Sequence, residues 1–243
     1  MSSKNGIVFA GAPYANSAPL MHYLTDEPQV NVLYDHPAAL VTYLETGKAD
    51  VALVPVIQAF KHPEWNIIDG LGVASLGPVR SVLLRCNVPP KSIKTIAYDP
   101  ASNTSNQLAK WILKTKFKVT PTHTTAPQAD AEVVIGDRAL DAPEATYGNI
   151  DLSEAWFELT NLPFVFAVWA IRKYFDPIDQ VTKIAHCAYE KGAKSIDEII
   201  KKQVASTTHS SSFWRDYLTR SIHYKLTKLD KKGMEQFRQI TLN

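Results

Sequence analysis

The sequence predicts an α/β chain folded as two lobes. Three observations point there: short β-prone runs alternate with helical ones from the start of the chain. The length of 243 residues suits one large domain or two lobes of roughly 120 residues. A Pro89-Pro90 pair interrupts the pattern after the fifth β-prone run.

Residues 6–10 form the first β-prone run, followed by Gly11-Ala12-Pro13 and a helix expected over 17–24, opened by Asn16 or Ser17 with Pro19 in its first turn. Residues 30–34 predict a second strand. The segment 36–46 places Leu40, Val41 and Leu44 on one helical face, and Gly47 ends it. The apolar run 51–54 is a third strand, so the order implies parallel βαβ units with buried strands.

Two β-rich runs follow between 67 and 84, split by Gly77-Pro78, and 94–98 starts a new strand after the prolines, which puts a lobe boundary near 88. The second lobe is expected to hold a helix over 102–116, a polar loop over 120–130, a strand over 132–135, a helix over 151–159 and a strand over 164–171. Helices near 177–190, 195–204, 208–220 and 231–240 complete the chain, with every strand preceding them.

Composition narrows the function. Apolar residues make up 45% and charged ones 21%, as in ordinary globular domains. Twenty-six basic against 24 acidic side chains leave +2, which indicates no nucleic-acid partner. Cys86 and Cys187 have no Cys-x-x-Cys or paired-His surroundings and read as free thiols. The N-terminal segment lacks the long apolar stretch of an export signal, and no window reaches about eighteen apolar residues, so a cytoplasmic protein with no membrane partner is expected.

Gly70-Leu71-Gly72 imitates a dinucleotide fingerprint but lacks the third glycine and the following helix. No phosphate-loop Lys, Gly-x-Ser-x-Gly elbow or His-Glu-x-x-His occurs, and the seven histidines lack ligand spacing, so neither metal nor cofactor is expected.

Three loop-to-helix junctions carry small polar groups after expected strands: Tyr14-Ala15-Asn16-Ser17, Ser102-Asn103-Thr104-Ser105, and Gly136-Asp137. At the carboxyl ends of strands in an open α/β sheet such groups can hold a carboxylate, or they can simply cap helices. Strand alternation puts Arg80 and Ser81 on opposite faces. The aromatic run from Trp156 to Trp169 reads as core, and Lys225, Lys228, Lys231 and Lys232, interleaved with Asp230 and Glu235, as a solvated helix face.

Six segments in order resemble the chorismate dehydratases of menaquinone synthesis by the futalosine route. They are Asn16-Ser17-Ala18-Pro19-Leu20; Leu44 to Pro55 with Gly47, Ala49 and Asp50; Gly77-Pro78-Val79-Arg80-Ser81-Val82; Asp99 with 102–105; Ile135 to Leu140; and Asp151 to Ala170. The resemblance covers most of residues 10–172. It departs from the usual pattern ahead of Asn16 and at Val56-Ile57-Gln58.

The resemblance implies a type II periplasmic-binding-protein-like fold with a substrate cleft between two lobes. Lobe one would be 1–88 plus 173–243, and lobe two 89–172. It implies loss of water from chorismate to give 3-(1-carboxyvinyloxy)benzoate, with Asn16 and Ser81 as catalytic hydrogen-bond donors. Tyr14, Ser17, Ser102, Asn103, Thr104, Ser105, Gly136 and Asp137 would bind substrate. The enolpyruvyl carboxylate of the substrate is the expected proton acceptor, with Asp137 as the protein alternative. A non-catalytic solute-binding protein of the same fold and the sister naphthoate synthase are the competing readings.

Overall fold

A computed structural model of the chain describes residues 6–242. Its first half contains β1 (Ile7–Gly11), α1 (Ala18–Met21), β2 (Val30–Tyr34), α2 (Pro37–Thr46), β3 (Val51–Pro55), α3 (Val56–Lys61), β4 (Asn66–Ser75), β5 (Val82–Cys86), β6 (Thr95–Ala97) and α4 (Asn103–Ile112). The second half contains β7 (Thr122–His123), β8 (Ala131–Ile135), α5 (Asp137–Leu140), β9 (Asn149–Asp151), α6 (Leu152–Thr160), β10 (Phe164–Ile171), α7 (Ile178–Lys194), α8 (Ile196–Ser206), α9 (Ser211–Asp216), β11 (His223–Lys225) and α10 (Lys228–Leu242).

These elements form two compact units. The first combines residues up to Val73 with Ala167–Leu226, around a six-stranded sheet in the order β11-β4-β10-β3-β1-β2. β1 is parallel to β2 and β3, whereas β10 runs antiparallel to β3 with Ala167 opposite Pro55. Asp50 fastens the start of β3: its carboxylate accepts from the Val8 N–H at 2.9 Å and pairs with Arg172 at 2.9 Å. Phe9 meets Trp169 edge-on, centroids 5.5 Å apart, and both are fully buried. Gly47 ends α2 at φ 72°, as its position predicts.

The second unit combines 74–166 with the described residues after 226, around a five-stranded sheet ordered β7-β6-β8-β5-β9. β8 is parallel to β6 and antiparallel to β5, which is antiparallel to β9. Trp156 is its core anchor. The buried indole packs edge-on against Phe164 and Phe237, and its N–H donates to the Pro163 carbonyl at 3.2 Å.

The chain therefore changes unit at different positions from those expected. The break near 88 lies after β5, yet β5 is a central strand of the second sheet, so the first crossing falls at 73/74 inside β4. The second falls at 166/167 inside β10 rather than at 172. The last segment returns to the second unit because α10 brings Phe237 onto Trp156 and Phe164. A Cβ at Gly233 would stand 2.2 Å from the Pro163 carbonyl oxygen, so α10 packs there backbone to backbone.

Local expectations also shift. The helix expected over 17–24 is a 3₁₀ turn, the four-residue α1 and a second 3₁₀ turn. The helices expected over 102–116 and 208–220 both end in π turns, at Leu113–Phe117 and Tyr217–Ser221. β11 lies among the last helices, so the strands do not all precede them. Arg80 has φ 68° and Ser81 precedes β5, so period-two alternation does not apply to either. No described helix is long and apolar enough to cross a membrane.

Candidate functional site

In the first unit the turn after β1 carries Tyr14, Asn16 and Ser17. Gly11 is needed at the end of β1, because a Cβ there would sit 2.6 Å from the Met21 sulfur, so α1 folds back against the strand. Tyr14 packs on the cluster of Ala12, Leu40 and Val54. The buried Ser17 hydroxyl hydrogen serves the turn itself, with the Ala12 and Tyr14 carbonyls each 2.8 Å away. Asn16 differs from both neighbours: its half-buried side-chain amide makes no hydrogen bond among the described residues.

In the second unit the strand directions gather the remaining candidates at one sheet edge. The carboxyl ends of the parallel strands β6 and β8 lie on the same edge as the amino end of antiparallel β5. Leu83 opposite Asp151 adds the carboxyl end of β9. Ser81, 102–105, Gly136-Asp137 and the start of α6 therefore share that edge.

Two carboxylates build it. Asp99 is buried, accepts from the Ala101 N–H at 2.8 Å, and forms an ion pair with the exposed guanidinium of Arg138. Asn106 pairs with the Asp99 backbone through both amide atoms, at 3.0 and 2.7 Å. These contacts fix the turn that opens α4 and tie it to α5. Asp151 accepts from Arg80 N–H at 2.6 Å and caps α6 through Ser153 and Glu154 N–H groups at 3.0 and 3.1 Å. Burial raises the Asp151 carboxyl above its ordinary value, and the backbone donors of Arg80, Glu154, Val79 and Ser153 oppose that rise.

The predicted polar residues then separate by what they have left to offer. Ser102 caps α4, accepting from Ser105 N–H at 3.2 Å and donating to the Ser105 hydroxyl at 2.8 Å. Asn103 makes no side-chain hydrogen bond among the described residues. The hydroxyls of Ser81 and Thr104 are shut away from water without a hydrogen-bond partner among the described residues, and so is that of Ser153, which sequence reasoning did not select. Buried hydroxyls are normally satisfied, which sets these three apart from the committed groups around them.

Gly136 is the N-cap of α5 at φ 65°, ψ −147°, a conformation essentially reserved for glycine, and its N–H donates to the Ser81 carbonyl at 2.8 Å. Asp137 is the first residue of α5, one position inside the cap. The capping role expected for Asp137 thus belongs to the glycine before it.

A family model described as menaquinone biosynthesis matches residues 7–242. The chain belongs to that family. Among its relatives, the chorismate dehydratase of Thermus thermophilus is 30% identical over 249 residues, 92% of this chain and 91% of that protein. The chorismate dehydratase of Campylobacter jejuni is 29% identical over 95% of this chain and 96% of its own length. A Candida albicans protein with the generic periplasmic-binding-protein fold superposes with a TM-score of 0.68 at 12% identity, covering 97% of this chain and 89% of that one.

This member of the menaquinone-biosynthesis family has the periplasmic-binding-protein-like fold, built on two mixed sheets. Sequence reasoning missed Asp151, Arg138 and Ser153 as parts of the edge. Asp151 and Ser153 stood inside the Asp151-Leu152-Ser153-Glu154 run, where an Asp ahead of a helix is a cap signal. Nothing in local pattern links Arg138 to Asp99, 39 residues away.

Proposed function

We propose that the chain is a chorismate dehydratase of the futalosine route, working in the cytoplasm on chorismate as its small-molecule substrate and needing no cofactor or metal. Identity of 30% across nine-tenths of a protein that carries that name is the observation that supports it most strongly.

The reaction needs orientation more than a strong base. The ring carbon that bears the enolpyruvyl ether gives its proton to the substrate's own enolpyruvyl carboxylate, the C–H electron pair forms the new ring double bond, and the hydroxyl on the neighbouring carbon leaves. Proton and hydroxide together make the water, and the ring becomes aromatic. Asn16 and Ser81 are proposed as donors to the departing hydroxyl or the developing charge, a use that suits an amide and a hydroxyl not engaged elsewhere among the described residues. Asn103 and Thr104 are proposed to hold a carboxylate together with their own backbone N–H groups at the start of α4, the Ser105 N–H being taken by Ser102. Tyr14 and Ser17 after β1, Ser102 and Ser105 at the start of α4, and Gly136 and Asp137 after β8 are proposed to complete the substrate-binding set.

The test is to incubate purified protein with chorismate and follow mass and ultraviolet absorption. Loss of one water with growth of a benzoate spectrum is expected. Chorismate recovered unchanged would contradict the reading and favour a solute-binding protein of the same fold.

A further inference from the structure

Ser81 stands immediately ahead of β5 and is fixed through backbone on both sides. Its carbonyl accepts from the Gly136 N–H at 2.8 Å, which ties it to the end of β8. Before it comes Arg80, whose φ of 68° lies in the left-handed region that a residue with a Cβ rarely adopts. A return of Arg80 to an ordinary φ would turn the peptide that follows it and carry Ser81 along.

Asp151 supplies the hold on that turn, and its two carboxylate oxygens divide the work. Oδ2 accepts from the Arg80 N–H at 2.6 Å, while Oδ1 accepts from the Ser153 and Glu154 N–H groups at 3.0 and 3.1 Å to cap α6. Pairing of β9 with β5 sets Asp151 opposite Leu83, so the carboxylate starts from a fixed register when it reaches back to Arg80. A cap needs only one oxygen, and an uncharged Asn or Ser provides it. Burial raises the Asp151 carboxyl above its ordinary value, so the charge is a cost that capping alone would not require.

We propose that Asp151 is a positioning residue for Ser81, its Oδ2 holding Arg80 left-handed so that the Ser81 hydroxyl stays placed for chorismate. What Ser81 does for chorismate rests on the dehydratase reading; that Asp151 holds Arg80 does not.

Asp151→Asn separates the two tasks in the full-length protein, because an amide has one oxygen: it can cap α6 and then turns an N–H toward Arg80. By NMR, the short distance between the Arg80 amide hydrogen and its own Hα that marks a positive φ should be present in the parent and lost in Asp151→Asn. In turnover of chorismate, kcat should fall about thirtyfold while KM changes less than about twofold, the pattern of a misplaced group that acts in the transition state. Glycine adopts the left-handed turn without a Cβ penalty, so Arg80→Gly added to Asp151→Asn should recover at least about fivefold of kcat. Arg80→Ala keeps the Cβ and should recover nothing. A negative φ at Arg80 in the parent, a left-handed Arg80 that persists in Asp151→Asn, an unchanged kcat, a change confined to KM, or equal recovery by Arg80→Ala would each overturn the positioning role. A parent that leaves chorismate unchanged would instead sink the dehydratase reading, and the NMR signal would still decide whether Asp151 holds the turn.

Discussion

The turn after β1 in the first unit and the sheet edge of the second unit use polar residues in opposite ways. At 12–17 the turn is held by one hydroxyl and the backbone, and the Asn16 amide is left over. At the edge, Asp99, Asn106, Ser102 and Asp151 are committed to backbone groups, and Ser81, Thr104 and Ser153 are left over. The carboxylates that look most chemical are the scaffold. The small neutral donors that look least chemical are the groups proposed to act on a substrate.

If that division is right, the scaffold carboxylates should carry stability. Asp151→Ala is expected to cost about 3 kcal/mol in urea unfolding, combining a lost N-cap of about 1–2 with orphaned N–H groups at about 1–3 each, partly offset by removal of a poorly solvated charge. Asp151→Asn should retain much of the cap. It should also flatten the pH dependence: the folded carboxyl titrates above the unfolded value, so its contribution is greatest below the unfolded pKa and is lost as pH rises through the raised one. A cost below about 0.5 kcal/mol in Asp151→Ala, the level of an ordinary surface change, would break the comparison.

Asp137 sharpens it. Since Gly136 caps α5, Asp137→Asn disturbs neither the cap nor the strand pairing, and turnover of chorismate is expected to fall less than about tenfold. A fall beyond about a thousandfold, within the range of general acid–base groups, would make Asp137 the base and end the idea that neutral donors suffice.

The smallest expected effect concerns the thiols. Burial pushes Cys86 up to about 11, whereas Cys187 is exposed on α7, so a thiol reagent at pH 8 should label one cysteine in the folded protein and two in urea. Two fast equivalents without urea would show that the β5 region of the second unit opens readily.

What the sequence made legible follows from physical range. β1 to β3, α2 and its Gly47 stop are written in consecutive residues, through apolar runs and a left-handed cap. β11 and β9 have three residues each, too few to show a period, and exist because a neighbouring strand pairs with them. The unit boundaries were misplaced because a Pro-Pro pair is a local break, while membership depends on distant partners such as Phe237 on Trp156. Arg80 could not be read as a strand residue or a turn residue without Asp151, 71 positions away, whose carboxylate accepts its N–H. The polar turns were visible, but their division into committed and uncommitted groups depends on geometry.

Catalysis by neutral donors stands or falls most directly at Asn16, and the measurement is kcat on chorismate for Asn16→Ala beside its unfolding midpoint. A fall of about a hundredfold is expected, as loss of one positioned donor produces, with the midpoint unchanged because the amide holds nothing in the fold. An unchanged kcat would contradict that role.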